Sequence, residues 1–166
     1  MRTHRLITAL LAALSVAACS RGPADAKAPL VGAWRGGVQF TTGAFATTKD
    51  LEFMYVFNLG GTMTESSNYG GAPPVPPAYG VWRMVGAKKY EARYAYYWTK
   101  PPSSFEEIAK GNGWAPGGQG MLSQEITLSA DGNSFESTIR YQVFDQAGKP
   151  TGEASIASAK AARIGF

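Results

Sequence analysis

The chain of 166 residues contains one cysteine and one histidine. A single cysteine excludes an intrachain disulfide and the cysteine clusters of structural zinc and iron–sulfur centres. Charge is also scarce, at 17% of residues, while aromatics reach 12%. A disordered chain shows the opposite balance. No run of lysines and arginines interleaved with aromatics occurs, and Lys88-Lys89 is an isolated pair in a turn-like context. The net charge of +4 therefore carries no expectation of a nucleic-acid partner. The length suits one domain.

What is present begins with the N-terminus. Arg2 and Arg5 flank or precede an uncharged run from Leu6 to Ala18. That run is too short to span a bilayer as a helix but has the length of a signal-peptide core. It ends in Val16-Ala17-Ala18-Cys19, which resembles the lipobox of bacterial lipoproteins. The resemblance implies that residues 1–18 are a signal peptide, that Cys19 is the lipidation site, and that the protein is anchored to a membrane through that lipid. Ser20 stands where an Asp would resemble an inner-membrane retention signal. The implied address is therefore the bacterial cell envelope, at the outer membrane facing the periplasm. A plain secretory signal peptide is the alternative. Cleavage before Cys19 removes His4, Arg2 and Arg5 and lowers the net charge from +4 to +2. The remaining chain then has no histidine and no free thiol. Ser-His-Asp and Cys-His catalysis, ordinary zinc sites and His-ligated haem are excluded. No catalytic residue, metal or cofactor is expected. Residues 19–30 form the lipidated cysteine and a flexible tether. Ser20 to Pro29 is small, polar and Pro-containing, and as a coil reaches about 15–20 Å. The domain occupies residues 31–166.

Within that domain the hydrophobic period is two. Leu51, Phe53, Tyr55 and Phe57 alternate with Glu52, Met54, Val56 and Asn58. Tyr90, Ala92, Tyr94, Tyr96 and Trp98 form a second such row, and Phe135, Ile139, Tyr141 and Val143 a third. This is the pattern of half-buried strands. Eight are expected, at about 31–42, 51–59, 61–68, 79–86, 89–99, 120–129, 133–144 and 152–164. Turn signals such as Gly60-Gly61 and Asp131-Gly132 make consecutive strands antiparallel. An up-and-down, eight-stranded antiparallel barrel removes the exposed edges of such a meander. The outward set includes Glu52, Arg93, Glu136 and Arg140. Such charges are costly against lipid, so the expectation is a lipid-tethered soluble barrel rather than a membrane-spanning one.

Three segments interrupt the pattern. Residues 70–80 are Pro-rich and read as a stiff connection. Residues 103–110 carry a capping-box pattern, with Ser103 or Ser104 as N-cap and Glu106 or Glu107 near the third position. One short helix is expected there, in the loop after strand five. Residues 111–120 are Gly-rich but lack the Lys-Ser/Thr of a phosphate-binding loop. They read as a mobile loop carrying Trp114, and the whole excursion is long enough to act as a lid at one barrel mouth.

The first strand opens Gly32-Ala33-Trp34. A Gly-x-Trp at the start of an eight-stranded meander resembles the lipocalin (calycin) superfamily. The resemblance implies that Trp34 plugs the closed end of the barrel and that Arg163, late in the last strand, packs across it as a cation–π pair. Phe57-Asn58-Leu59-Gly60-Gly61-Thr62, Gly80-Val81-Trp82, Asp131-Gly132-Asn133-Ser134-Phe135 and Phe144-Asp145-Gln146-Ala147-Gly148 are similar to motifs of secreted bacterial lipocalin-like proteins. The chain departs from lipocalins in having no disulfide and in placing its long loop after strand five.

An eight-stranded barrel holds either packed side chains or one small ligand. Large inward candidates face a last strand of small residues, Ala154 to Ala162, which permits either outcome. Three readings follow. The first is a lipid-anchored binding protein holding a small hydrophobic or amphipathic ligand, with Phe53, Tyr55, Tyr94, Tyr96, Trp98 and Tyr141 as lining candidates. The second is a filled barrel whose loops contact another envelope protein. The third, least favoured, is a cyclase- or isomerase-like barrel enzyme. It needs an inward acid or base, for which Glu65 and Glu125 are the strand carboxylates, although both are expected to face solvent.

Overall fold

The computed structural model describes residues 29–69 and 76–166. The segment containing Cys19, the tether as far as Ala28, and positions 70–75 of the Pro-rich segment lie outside the described residues. Eight strands follow in chain order: β1 (Gly32–Phe40), β2 (Glu52–Phe57), β3 (Thr62–Ser67), β4 (Ala78–Gly86), β5 (Lys89–Lys100), β6 (Ala115–Leu128), β7 (Ser134–Asp145) and β8 (Ser155–Arg163). A single short helix, α1 (Phe105–Ala109), lies between β5 and β6. Each strand pairs with the next, and β1 pairs with β8 from Trp34↔Arg163 to Phe40↔Ala157, all antiparallel. The sheet is therefore a closed up-and-down barrel without a free edge.

Alternation sets the inside and outside of every wall. Phe53, Tyr55 and Phe57 on β2 are buried, as are Tyr90, Ala92 and Tyr94 on β5 and Phe135, Ile139 and Tyr141 on β7. The outward rows carry charge. Cross-strand ion pairs Arg35–Glu52, Arg83–Glu91 and Lys160–Glu136 decorate the exposed face. Being solvated, they add little to stability.

The two ends of the barrel differ. Short turns link β2 to β3, β4 to β5 and β6 to β7 at the end where Trp34, Phe57 and Phe135 lie. The longer connections, 41–51, 68–77, 101–114 and 146–154, all emerge at the other end. The short-turn end is solid. Trp34 is fully buried and meets Phe135 with ring centroids 5.1 Å apart. Phe57 packs against Phe135 and Trp82, and Trp82 against Tyr90. Full burial of each such side chain stabilises the fold by roughly 1.5–3 kcal/mol.

Arg163 seals this end. Its guanidinium carbon stands 4.2 Å from the Trp34 ring centre. Its Nη1 donates to the Val31 carbonyl at 2.8 Å, its Nη2 to Gly132 at 3.1 Å, and Nη2 also donates to Pro29. Trp34 Nε1 in turn donates to the Leu30 carbonyl at 2.9 Å. The glycine of the Gly-x-Trp opening has a physical role here. A Cβ on Gly32 would lie 2.6 Å from Arg163 Nη1, and its φ of +133° suits glycine alone.

Strand limits follow the sequence reading within a few residues except on β6. That strand begins at Ala115, so Ala115–Gly120 is ladder rather than mobile loop. Trp98↔Gly118 and Tyr96↔Gly120 pair across to β5. The helix is capped as the sequence indicates, Ser104 Oγ accepting from the Glu107 amide. None of its residues is buried.

Candidate functional site

At the long-loop end the interior is empty. A cavity of about 410 Å³ is walled by Phe40, Leu51, Glu65, Tyr96, Leu122 and Tyr141, with Phe45, Ser67, Tyr69, Pro76, Trp98, Val143 and Thr151 nearer its rim. Tyr69, Pro76 and Thr151 are exposed, so among the described residues the cavity reaches the surface at this end. Its volume falls in the range of small-molecule sites.

The aromatic wall is built by three strands acting together. Tyr96 on β5 extends across β6 to Tyr141 on β7. The rings stack with an interplanar angle of 12°, and the two hydroxyl oxygens are 2.6 Å apart, either one donating. Trp98, two residues further along β5, reaches across β6 in the same way and donates from Nε1 to the Phe144 carbonyl at 3.2 Å. What lies beneath these rings is the Gly-rich stretch. A Cβ on Gly120 would sit 2.5 Å from Tyr96 Cε1, and one on Gly117 would sit 2.3 Å from Trp98 Cε3. The glycines are thus a bed on which two rings lie flat against the wall, leaving the lumen open. Phe45, from the β1–β2 connection, meets Tyr69 edge-on at 5.2 Å and Tyr141 at 6.2 Å.

One carboxyl group interrupts this apolar surface. Glu65 lies on β3 between Tyr55 and Ala78 in register. It is only 7% exposed, and its Oε1 is buried without a hydrogen-bond partner. Desolvation raises its carboxyl to about 8, so it is mostly protonated at neutral pH. The expectation that Glu65 faces solvent is corrected by this placement; Glu125 does lie on the exposed face. β3 is polar on both faces, Thr62, Thr64 and Ser66 against Glu65 and Ser67. The only sequence signal that Glu65 points inward is its two-residue spacing from buried Met63.

Directly below lies a second polar layer. Tyr94 Oη donates to Gln124 Oε1 at 3.0 Å, and Gln124 Nε2 donates to Ser137 Oγ at 2.8 Å. The Tyr55 hydroxyl is buried beside this network without a well-aligned partner. Burial raises the Tyr55, Tyr94 and Tyr96 phenols well above their ordinary value, and the nearby Glu65 carboxylate, when charged, reinforces this. All three phenols are neutral at physiological pH.

The candidates read from sequence divide accordingly. Tyr96, Trp98 and Tyr141 line the cavity. Phe53, Tyr55 and Tyr94 do not, although all three are buried on the inward face; Phe53 pairs with Ser67 and Tyr55 with Glu65 in register, and Tyr55 packs against Phe53, Phe57 and Tyr94. Trp34 and Arg163 meet at the opposite end, as described. Trp114 is 38% exposed, and no residue of 101–114 lines the cavity, so the lid expected from this segment has no counterpart in the lining. The small residues of β8 do not line it either. Phe45, Leu51 and Tyr69 are lining residues that the sequence reading did not single out, and Glu65 was named there only as an acid or base candidate. Among the described residues no cluster of three or more His, Cys, Asp or Glu could hold a metal ion.

The class that fold and site define is a closed eight-stranded β-barrel, solid at one end and hollow at the other. No protein-family model matches the chain, and comparison with curated proteins finds no significant relative.

Proposed function

We propose that this protein is a binding protein that holds one small hydrophobic or amphipathic molecule in the open end of a lipocalin-like barrel. The observation that carries the reading is the 410 Å³ cavity lined by Phe40, Leu51, Tyr96, Leu122 and Tyr141. Apolar walls with a few polar groups at fixed positions are what such ligands require. The solid end supports the lipocalin resemblance, because Trp34 and Arg163 stand in the plug arrangement that resemblance implies. The hollow end favours a ligand carrier over a filled barrel acting through its loops alone.

A neutral fluorophore, N-phenyl-1-naphthylamine, tests the reading. Its emission should rise on titration with the protein, with one site per chain. Ser67→Trp, which adds an indole at the half-buried rim, should weaken that binding at least about tenfold, the scale of roughly 1.4 kcal/mol. Absence of saturable binding of this fluorophore, together with that of naphthyl probes carrying an amine, a hydroxyl or a carboxylate, refutes a ligand role.

The same proposal places the barrel at the outer membrane, tethered through a lipid on Cys19 and facing the periplasm. The basic Arg2 and Arg5, the apolar run to Ala18 and the Val16-Ala17-Ala18-Cys19 motif support it. Cys19→Ser should move the protein from the membrane to the soluble fraction after cell breakage. Retention of the variant in membranes refutes the anchor.

A further inference from the structure

We propose that the ligand of this cavity carries a basic amine, and that its ammonium group pairs with Glu65. The inference rests on the binding role proposed above and specifies its chemistry. Three observations converge on it. The Glu65 carboxyl is more than nine-tenths buried, has an oxygen without a partner, and forms part of the cavity wall. Its neighbours across the two ladders are Tyr55 on β2 and Ala78 on β4, and the short Ala78 side chain does not cover it from the β4 side. Among the described residues no lysine or arginine lines the cavity. An apolar molecule with a carboxylate or phosphate would therefore bring a buried anion to a site that already holds an acid and no cation. A molecule with an ammonium group meets the opposite. It gains a charge-assisted hydrogen bond from its N–H donors to Glu65. Tyr69, Tyr96 and Tyr141 line the same cavity, and aromatic ring faces attract a desolvated cation. The apolar remainder fits against Phe40, Leu51 and Leu122.

The pairing moves one proton. The groups facing Glu65 are Tyr55 on β2, Tyr94 and Tyr96 on β5, and, across the cavity, Tyr141 on β7 and Tyr69 beyond β3. Burial raises the Tyr55, Tyr94, Tyr96 and Tyr141 phenols, so they stay neutral at pH 7 and do not compete for the exchange. The empty site holds Glu65 largely protonated. An incoming ammonium favours the carboxylate, and the acid proton leaves to solvent. Binding of the cation at pH 7 is thus coupled to release of close to one proton.

Three probes that differ only in the polar group separate the possibilities: 2-(1-naphthyl)ethylamine, 2-(1-naphthyl)ethanol and 1-naphthylacetate, titrated by calorimetry at pH 7 in two buffers of different ionisation enthalpy. The amine should bind on the order of tenfold or more tightly than the alcohol, with net proton release, and the carboxylate should bind most weakly. In Glu65→Gln the ratio of amine to alcohol affinity should collapse to within about threefold of unity, and the proton release should vanish. An alcohol that binds as well as the amine, a carboxylate that binds better, or an amine preference that survives in Glu65→Gln overturns the assignment while leaving the cavity a binding site. Failure of all three probes together with the neutral fluorophore overturns the binding role itself.

Discussion

Replacing Glu65 by Gln should stabilise the empty protein, and increasingly so as pH rises. Burial raises the folded-state carboxyl from its ordinary 4.5 to about 8. Between those values the unfolded chain has lost the proton while the folded chain keeps it. The folded state then binds more protons, so stability falls with rising pH, by about 1.4 kcal/mol for each unit. The loss begins as pH passes 4.5 and levels off above about 8. Integrated to pH 7, Glu65 costs the fold about 3 kcal/mol, against less than about 1 kcal/mol at pH 5. Glutamine has nearly the same shape and does not titrate. The gap between variant and wild type should therefore widen by about 2–3 kcal/mol from pH 5 to pH 7. With a urea dependence of roughly 1–3 kcal/mol/M, the Gln variant's midpoint should exceed the wild type's by about 1–3 M at pH 7. Every other titrating group is shared, so it cancels in the difference. Urea unfolding followed by tryptophan fluorescence at pH 5, 6, 7 and 8 measures the gap. A gap that stays constant across this range refutes the claim that Glu65 is held protonated by burial.

Two further perturbations probe the solid end and the aromatic wall. Arg163→Ala should cost about 2–3 kcal/mol in urea unfolding, through loss of the charged hydrogen bonds to the Val31 and Gly132 carbonyls and of the contact with Trp34. Arg163→Lys should recover less than half, because one ammonium cannot reproduce a planar fork that serves carbonyls on separate segments. Gly120→Ala should cost about 1–3 kcal/mol and lower the near-ultraviolet circular dichroism of the tyrosines, because the new methyl would lie 2.5 Å from the Tyr96 ring. Gly113→Ala, with open space around the added carbon, is its control and should change stability by no more than about 0.5 kcal/mol.

Alternation made the barrel legible, since a period of two states which residues face inward without reference to any neighbour. The plug was legible for a different reason: Gly32-Ala33-Trp34 resembles the lipocalin opening, and that resemblance implies the contact of Trp34 with Arg163 seen in the structure. Depth was not legible. Tyr94 and Tyr96 are equivalent by period, yet Tyr94 hydrogen-bonds Gln124 in the packed interior while Tyr96 lines the cavity. Their level is set by the register of β5 on β4 and β6, which depends on contacts distant in sequence. Glu65 was obscured by a strand polar on both faces. The run Ala115 to Gly120 was misread because glycine and proline usually mark loops. Here the missing side chains serve a close approach of rings that belong to another strand.

The hollow end follows from where side-chain volume is placed, and the glycines decide it. Along β8 the small inward residues each sit beside at least one larger residue: Ala157 pairs with Phe40 and Ile139, Ala159 with Val38, and Ala161 with Phe135. Large beside small gives interdigitation, the condition for a filled core. On β6 the same pairing of large with small has the opposite result. Tyr96 and Trp98 do not project past Gly120 and Gly117 into the lumen; they lie down over them and are pinned by bonds to Tyr141 and Phe144 on the far strand. Two of the largest side chains at this end are thereby stored against the wall. The space they leave is bounded by aromatic rings and by one carboxyl whose Oε1 has no hydrogen-bond partner among the described residues. A barrel selected only for stability would gain by filling that space and by replacing Glu65 with an apolar residue. That both features coincide at the end where the long loops emerge is what the binding role accounts for and a purely structural role does not.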